Sequence, residues 1–240
     1  MDFLACTPEV AALNQYWYSP ATIAALVAEL ESGRVGRRVA FLSTPSVYFS
    51  LPEASATRAA SYVFDLDDQW AATTPAFRKF DFNAGRVDAD LAGTFDVVVV
   101  DPPFITRDVW AKYAACVRSA LRPGGRALLT TVGENEAMLR RALGGDLGAA
   151  LRKAPFMPAM QSGALPYQYS LFLTYAPHAD SPLAAWNDEV PDDFREANAR
   201  RMPDEAAAAA AAAEAPVGGK ALSFEALLER ELAREAAVAT

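Results

Sequence analysis

Residues 95–104 read Phe-Asp-Val-Val-Val-Val-Asp-Pro-Pro-Phe, and no other stretch constrains the fold as strongly. Four consecutive valines offer no polar face to water, so the run is a strand covered on both sides, as in the middle of a parallel sheet. Two prolines end it, because neither can donate to a strand ladder. A parallel central strand needs long crossovers on either side, and the flanking sequence supplies them. Arg38–Leu42 and Ser61–Asp65 read as strands before it, Lys79–Phe82 as a weaker third, and Arg126–Val132 as a strand after it. Between them, Ser19-Pro20 starts a helix with Ile23, Leu26, Val27 and Leu30 on one face and Gly33 as its stop. A second helix is expected over Val47–Ala60. A third carries Val109, Trp110, Tyr113, Cys116 and Val117 on its core face, and a fourth covers Glu134–Leu143. Tyr167–Tyr175 reads as a closing strand, antiparallel to one formed around Lys153–Met157. The expected architecture is α/β, with a mostly parallel sheet, helices on both faces and an antiparallel C-terminal strand.

Composition decides which chemistries this frame can carry. The chain has one histidine, His178, and two cysteines, Cys6 and Cys116. A His-rich metal centre, a Cys₄ or Cys₂His₂ zinc site and a disulfide framework are therefore excluded by arithmetic, and no metal is expected. Cys116 falls on a helix core face and reads as packing, Cys6 as a terminal thiol, and His178 as a satisfied or solvent-facing side chain. The formal net charge of −8 is unevenly spread: residues 180–240 hold 13 acidic and 6 basic residues, residues 1–179 hold 17 and 16. The division predicts a body over 1–180 and an acidic, Ala-rich extension over 181–240, partly helical or disordered. That extension contains eight alanines, Ala206–Ala213, and an amphipathic stripe of Leu222, Phe224, Leu227, Leu228 and Leu232. No basic leader and no bilayer-length apolar run is present. A soluble, cytoplasmic, monomeric protein is the expectation, with no membrane partner.

In open α/β sheets, ligands bind beyond the carboxyl ends of the strands. The first strand here ends in Ser43-Thr44-Pro45-Ser46, the second in Asp65-Leu66-Asp67-Asp68, the third in Asp81-Phe82-Asn83 and the fourth in Asp101-Pro102-Pro103-Phe104. An acid after the second strand can accept from both hydroxyls of a ribose, and a polar group after the third can reach an adenine amine. Aspartate and serine are also common caps and turn formers, so the signal lies in the ordered set. In Asp101-Pro102-Pro103-Phe104 the prolines remove two backbone donors, leaving the Asp101 carboxylate and the Pro102 carbonyl to accept from one NH₂ group. Phe104 offers a flat wall for a base or an alkyl-ammonium stem.

These residues resemble a known family. Asp-Pro-Pro-Phe after the fourth strand is the signature of S-adenosylmethionine-dependent amino-methyltransferases, and Leu121-Arg122-Pro123-Gly124-Gly125 is similar to the approach to strand five in seven-strand methyltransferases. Asn14–Ser19 (Asn-Gln-Tyr-Trp-Tyr-Ser), Ser43–Tyr48 and Phe95–Phe104 together resemble the elongation factor 1-alpha lysine methyltransferases, once labelled putative adenine-specific DNA methyltransferases. The resemblance covers about residues 10–190 and implies a Rossmann-like seven-strand methyltransferase fold with S-adenosylmethionine as cofactor. It implies cofactor contacts at Tyr18, Ser19, Ser43, Thr44, Pro45, Ser46, Asp65, Asp67, Asp81 and Phe82. It also implies substrate contacts at Trp17, Tyr18 and Phe104, and catalytic roles for Asp101, Pro102, Pro103 and Phe104. Ser43–Ser46 stands where most seven-strand methyltransferases carry a Gly-x-Gly loop.

Three functions follow. The first is transfer of a methyl group to a lysine of elongation factor 1-alpha. The second keeps the chemistry but moves it to the N6-amine of adenine in DNA or RNA, where Phe104 stacks on a flipped base. Against it stand the missing zinc knuckle, helix-turn-helix, basic tail and separate target-recognition domain, so a nucleic-acid partner is not expected. The third is a non-catalytic scaffold, motivated by the glycine-free loop and the Leu222–Leu232 stripe.

Overall fold

The computed structural model describes residues 3–10, 14–161 and 168–187. The alanine run, the leucine stripe and Tyr167 lie outside the described residues. Seven strands form one sheet: β1 (Val39–Leu42), β2 (Tyr62–Asp65), β3 (Phe77–Lys79), β4 (Phe95–Val100), β5 (Leu121–Val132), β6 (Arg152–Lys153) and β7 (Tyr169–Leu173). Their order is β3-β2-β1-β4-β5-β7-β6. The first five are parallel, while β7 runs antiparallel to both β5 and β6. The expected architecture is present, with the valine run at its centre: Val97–Val100 pair with Val39–Leu42 on one side and with Arg126–Leu129 on the other.

Period-two alternation divides the core. Ala40, Leu42, Val98 and Val100 face one layer, built on α5 (Arg107–Ala120) and α6 (Glu136–Leu143). Val39, Phe41, Val97 and Val99 face the other, built on α2 (Pro20–Glu31) and α3 (Pro45–Ser50). Short helices α1 (Phe3–Cys6), α4 (Ala56–Ala60) and α7 (Gly145–Ala150) complete the layers. Cys116 is fully buried on α5, Cys6 is exposed, and neither forms a disulfide. The exposed His178 pairs with Asp180.

Three local departures from expectation have identifiable causes. The helix expected over 47–60 is two, α3 and α4, because Pro52 holds Leu51 extended at φ −62°, ψ 141° and Ser55 then caps a new start. The third strand is Phe77–Lys79 rather than Lys79–Phe82, because Asp81 accepts from the Asn83 amide and starts a 3₁₀ turn at Phe82–Ala84. The segment before α6 is likewise a 3₁₀ turn, Gly133–Asn135, with the α-helix proper starting at Glu136. Ser19 caps α2 by accepting from the Thr22 amide, with Pro20 in its first turn. No helix among the described residues is long and apolar enough to cross a membrane.

Candidate active site

Between β1 and β4 the chain order along the sheet reverses, and such switch points are where open α/β sheets bind ligands. A cavity of about 280 Å³ opens there at the carboxyl ends of the strands. Its wall brings together ten of the residues singled out from sequence: Trp17, Ser43, Pro45, Asp65, Asp67, Asp81, Phe82, Asp101, Pro102 and Pro103. Five other singled-out residues stand behind that wall. Ser19 is the α2 cap, Thr44 and Ser46 are buried at the start of α3, and Phe104 packs into the α5 side of the core at 8% exposure. Tyr18 is buried with its hydroxyl directed at Thr130.

Ser43 ends β1 with φ +55°, and Asn14 has φ +51°. They are the only non-glycine residues with positive φ among the described residues, and both line the cavity. For an L-residue this conformation costs about 1–2 kcal/mol, so Ser43 does by strain what a glycine does freely. Its Oγ shares a 2.7 Å hydrogen bond with the Tyr113 hydroxyl, which helps to hold it there. Tyr113 reaches up from α5, its ring stacked on Phe82 at 5.1 Å.

Two carboxyl groups dominate the electrostatics. Burial pushes Asp65 up to about 7, the neighbouring Asp67 charge adds to the rise, and backbone hydrogen bonds from Asp67 and Leu66 oppose it. Burial likewise pushes Asp101 up to about 7, against hydrogen bonds from Thr130 and Tyr18 that favour its charged form. Asp67 also feels burial, yet bonds from the Gln69 amide and the Gln15 and Gln69 side chains together hold it low. Burial raises the Tyr18 and Tyr113 hydroxyls well above the usual phenol range.

Several contributors were not singled out from sequence. Gln15 crosses the cavity to donate from Nε2 to Asp67 Oδ2 at 2.9 Å. Met160 and Tyr169 line the wall opposite, and the segment around Trp17 and Tyr18 is tied there by a bridge between Tyr18 and Met160. Thr130 on β5 donates to Asp101 Oδ1 at 2.7 Å. A sequence signal existed for Thr130, and likewise for Tyr113 beyond its packing role. A tyrosine on a core helix face and a threonine in a buried apolar strand each carry a hydroxyl that needs a partner.

The wall fits the cofactor implied by the resemblance. Five of its residues are aspartates (65, 67, 68, 81 and 101) and none is Lys, Arg or His, which suits a cationic sulfonium. Phe80, Phe82 and Leu66 give an apolar bed beside Asp65 and Asp67, as a nucleoside requires. Gln15 Oε1 is buried without a partner while its Nε2 is fixed on Asp67, leaving an acceptor poised for a ligand hydroxyl or amine. Among the described residues no group of three or more His, Cys, Asp or Glu side chains is arranged to hold a metal ion.

Sequence relatives agree in kind. The murine EEF1A lysine methyltransferase 1 is 31% identical over 135 residues, covering 55% of this chain and 62% of that protein. The bovine protein of the same name is 27% identical over 175 residues, covering 72% of this chain and 74% of its own length. The yeast protein-lysine N-methyltransferase EFM5 is 30% identical over 118 residues, covering 46% and 48%. The chain thus spans about three-fifths of the murine relative's length. A family model described as "Probable N6-adenine methyltransferase" matches residues 9–179, the greater part of this chain. The match spans the whole seven-strand sheet and its cavity, and by it the chain belongs to the probable N6-adenine methyltransferase family.

Proposed function

We propose that this chain is an S-adenosylmethionine-dependent protein-lysine N-methyltransferase, working in the cytoplasm on elongation factor 1-alpha. The observation that carries this is the charge of the cavity wall: five aspartates and no basic residue. Such a wall attracts an ammonium and repels a phosphate backbone, which nucleic-acid binding proteins meet with Lys and Arg. The names of the relatives support the protein acceptor.

The bound cofactor supplies an activated methyl on a sulfonium. What remains for the protein is to deliver a neutral amine in line with it. A lysine in water has a pKa of about 10.4 and no free lone pair at neutral pH. In the cavity, partial desolvation weakens its hold on the proton. Asp101, with a pKa of about 7, accepts a hydrogen bond from the amine and can take that proton. The Pro102 carbonyl is a second acceptor, and two acceptors on one nitrogen turn its lone pair away from them. Asp65 and Asp67 are assigned to the ribose hydroxyls, Asp81 and Phe82 to the adenine, and Ser43 and Pro45 to the methionine end. In this reading Ser19, Thr44 and Ser46 shape the loops that carry these groups.

Adenine as the acceptor has one observation in its favour, the description of the family. Phe104 favours neither acceptor, because it is 8% exposed within the α5 side of the core. Incubating the protein with methyl-labelled cofactor and a cell extract separates the two. Label lost to protease supports a protein acceptor, and label lost to nuclease overturns it.

A further inference from the structure

Asp101 is held from behind by two hydroxyls that do not belong to the cavity wall. Thr130 Oγ1 on β5 lies 2.7 Å from Asp101 Oδ1, 3.3 Å from the Val100 carbonyl oxygen and 2.6 Å from the Tyr18 hydroxyl. Thr130 and Tyr18 are 3% and 2% exposed, so water does not replace either. The three oxygens share two hydroxyl protons while the carboxyl group is ionised. A carboxylate only accepts, so the Thr130 proton points to Asp101 and the Tyr18 proton turns toward Thr130 and Asp101. Once the carboxyl group is neutral, its own O–H can donate to Thr130, whose proton then turns to the Val100 carbonyl.

We propose that Thr130 is a positioning residue for Asp101: a rotating hydroxyl that donates to the carboxylate when it is charged and accepts from the carboxylic acid when it is neutral. The inference rests on the reading of Asp101 as the group that takes the proton of the acceptor amine. In that step an N–H bond of the ammonium breaks, the electron pair stays on nitrogen, and an O–H bond forms on Asp101. Thr130 then follows without any buried donor or acceptor being stranded, an outcome that costs free energy at such sites. The titratable groups around the cavity are Tyr16 and Tyr18 ahead of α2, Asp65, Asp67 and Asp68 after β2, Asp81 after β3, Tyr113 on α5 and Tyr169 on β7. Burial raises the Tyr18 and Tyr113 hydroxyls well above the usual phenol range, so both stay protonated, and no basic group is present in the wall to mimic the effect of Thr130.

Carbon-13 NMR of carboxyl-labelled aspartate reads the Asp101 midpoint directly in the cofactor-free full chain, with the signal assigned by its loss in Asp101→Asn. Valine removes a bond from both states, and the bond to the charged form is the stronger, so Thr130→Val is expected to shift the midpoint up by about half to one pH unit. Thr130→Ser keeps the hydroxyl and restores the wild-type midpoint. Tyr18→Phe removes the proton that Tyr18 turns toward Thr130 and Asp101 and is also expected to shift the midpoint up, so it carries the test should Thr130→Val fail to fold. The acidic limb of kcat/KM is expected to move in parallel. An unmoved midpoint in folded Thr130→Val, or in Tyr18→Phe where the valine does not fold, overturns the assignment, as does a serine variant that behaves like the valine. Absence of methyl transfer by the wild type would instead remove the reading of Asp101 as base, whatever the midpoints do.

Discussion

The two ends of the cavity solve the same electrostatic problem by different means. At the β2 end, Asp65 is buried at 9% exposure and is held by main-chain donors, with the Asp67 amide 2.9 Å from its Oδ1. At the β4 end, Asp101 is held by side-chain hydroxyls. Burial pushes both carboxyl groups up to about 7. Main-chain amides can only donate, so they favour one protonation state permanently. A hydroxyl can donate or accept, and so tolerates both. The contrast suits a group that binds at one end and a group that exchanges a proton at the other.

Substitutions at the two ends are expected to separate binding from transfer. Asp101→Ala should lower methyl transfer by about 10²–10⁴, the range for losing a general base, while calorimetry still detects cofactor binding. Asp65→Ala should weaken cofactor affinity by roughly 10- to 100-fold, through hydrogen bonds to a charged group. Transfer at saturating cofactor should be much less affected. If the two variants behave alike, the division of labour is wrong.

The shared pKa predicts a shared stability signature. A carboxyl group with a folded value near 7 and an unfolded value near 3.9 favours the fold fully below about pH 4 and loses that contribution as the pH rises through 7. The rise corresponds to about 4 kcal/mol, so Asp65→Asn and Asp101→Asn should each raise Tm over wild type at pH 8 by up to about 8–16 °C, at roughly 2–4 °C per kcal/mol. The advantage should shrink toward pH 4. A constant difference across that range in differential scanning calorimetry would contradict the raised values.

The smallest effect concerns Ser43, which serves both ends from the switch point. Ser43→Ala keeps the positive φ but loses the Tyr113 bond, and should cost about 1 kcal/mol. Ser43→Gly loses the same bond but relieves the strain, and should lie close to wild type. Urea midpoints give the order, and an alanine variant more stable than the glycine one would break the strain argument.

Much of this frame was legible in the chain because it depends on local pattern. Val97–Val100 fixed the centre of the sheet, Ser19-Pro20 the start of α2, and the residues after each parallel strand marked the cavity. Long-range pairings were not legible. Gln15 meets Asp67 across 52 residues and Tyr18 meets Thr130 across 112, and nothing in either neighbourhood names the partner. Phe104 shows the opposite case. Its place in the motif suggested a wall, but the residue is 8% exposed and belongs to the core on the α5 side. The break at Pro52 was available locally, since proline restrains the residue before it.

In the proposed function the reacting amine belongs to a lysine of a protein. The most direct test of this is tandem mass spectrometry of purified elongation factor 1-alpha after incubation with this protein and cofactor carrying a deuterated methyl. Deuterated methyl is expected on a lysine nitrogen, and is expected to be absent when Asp101→Ala replaces the wild type. An unmodified factor, with label on adenine N6 in accompanying nucleic acid, would contradict it.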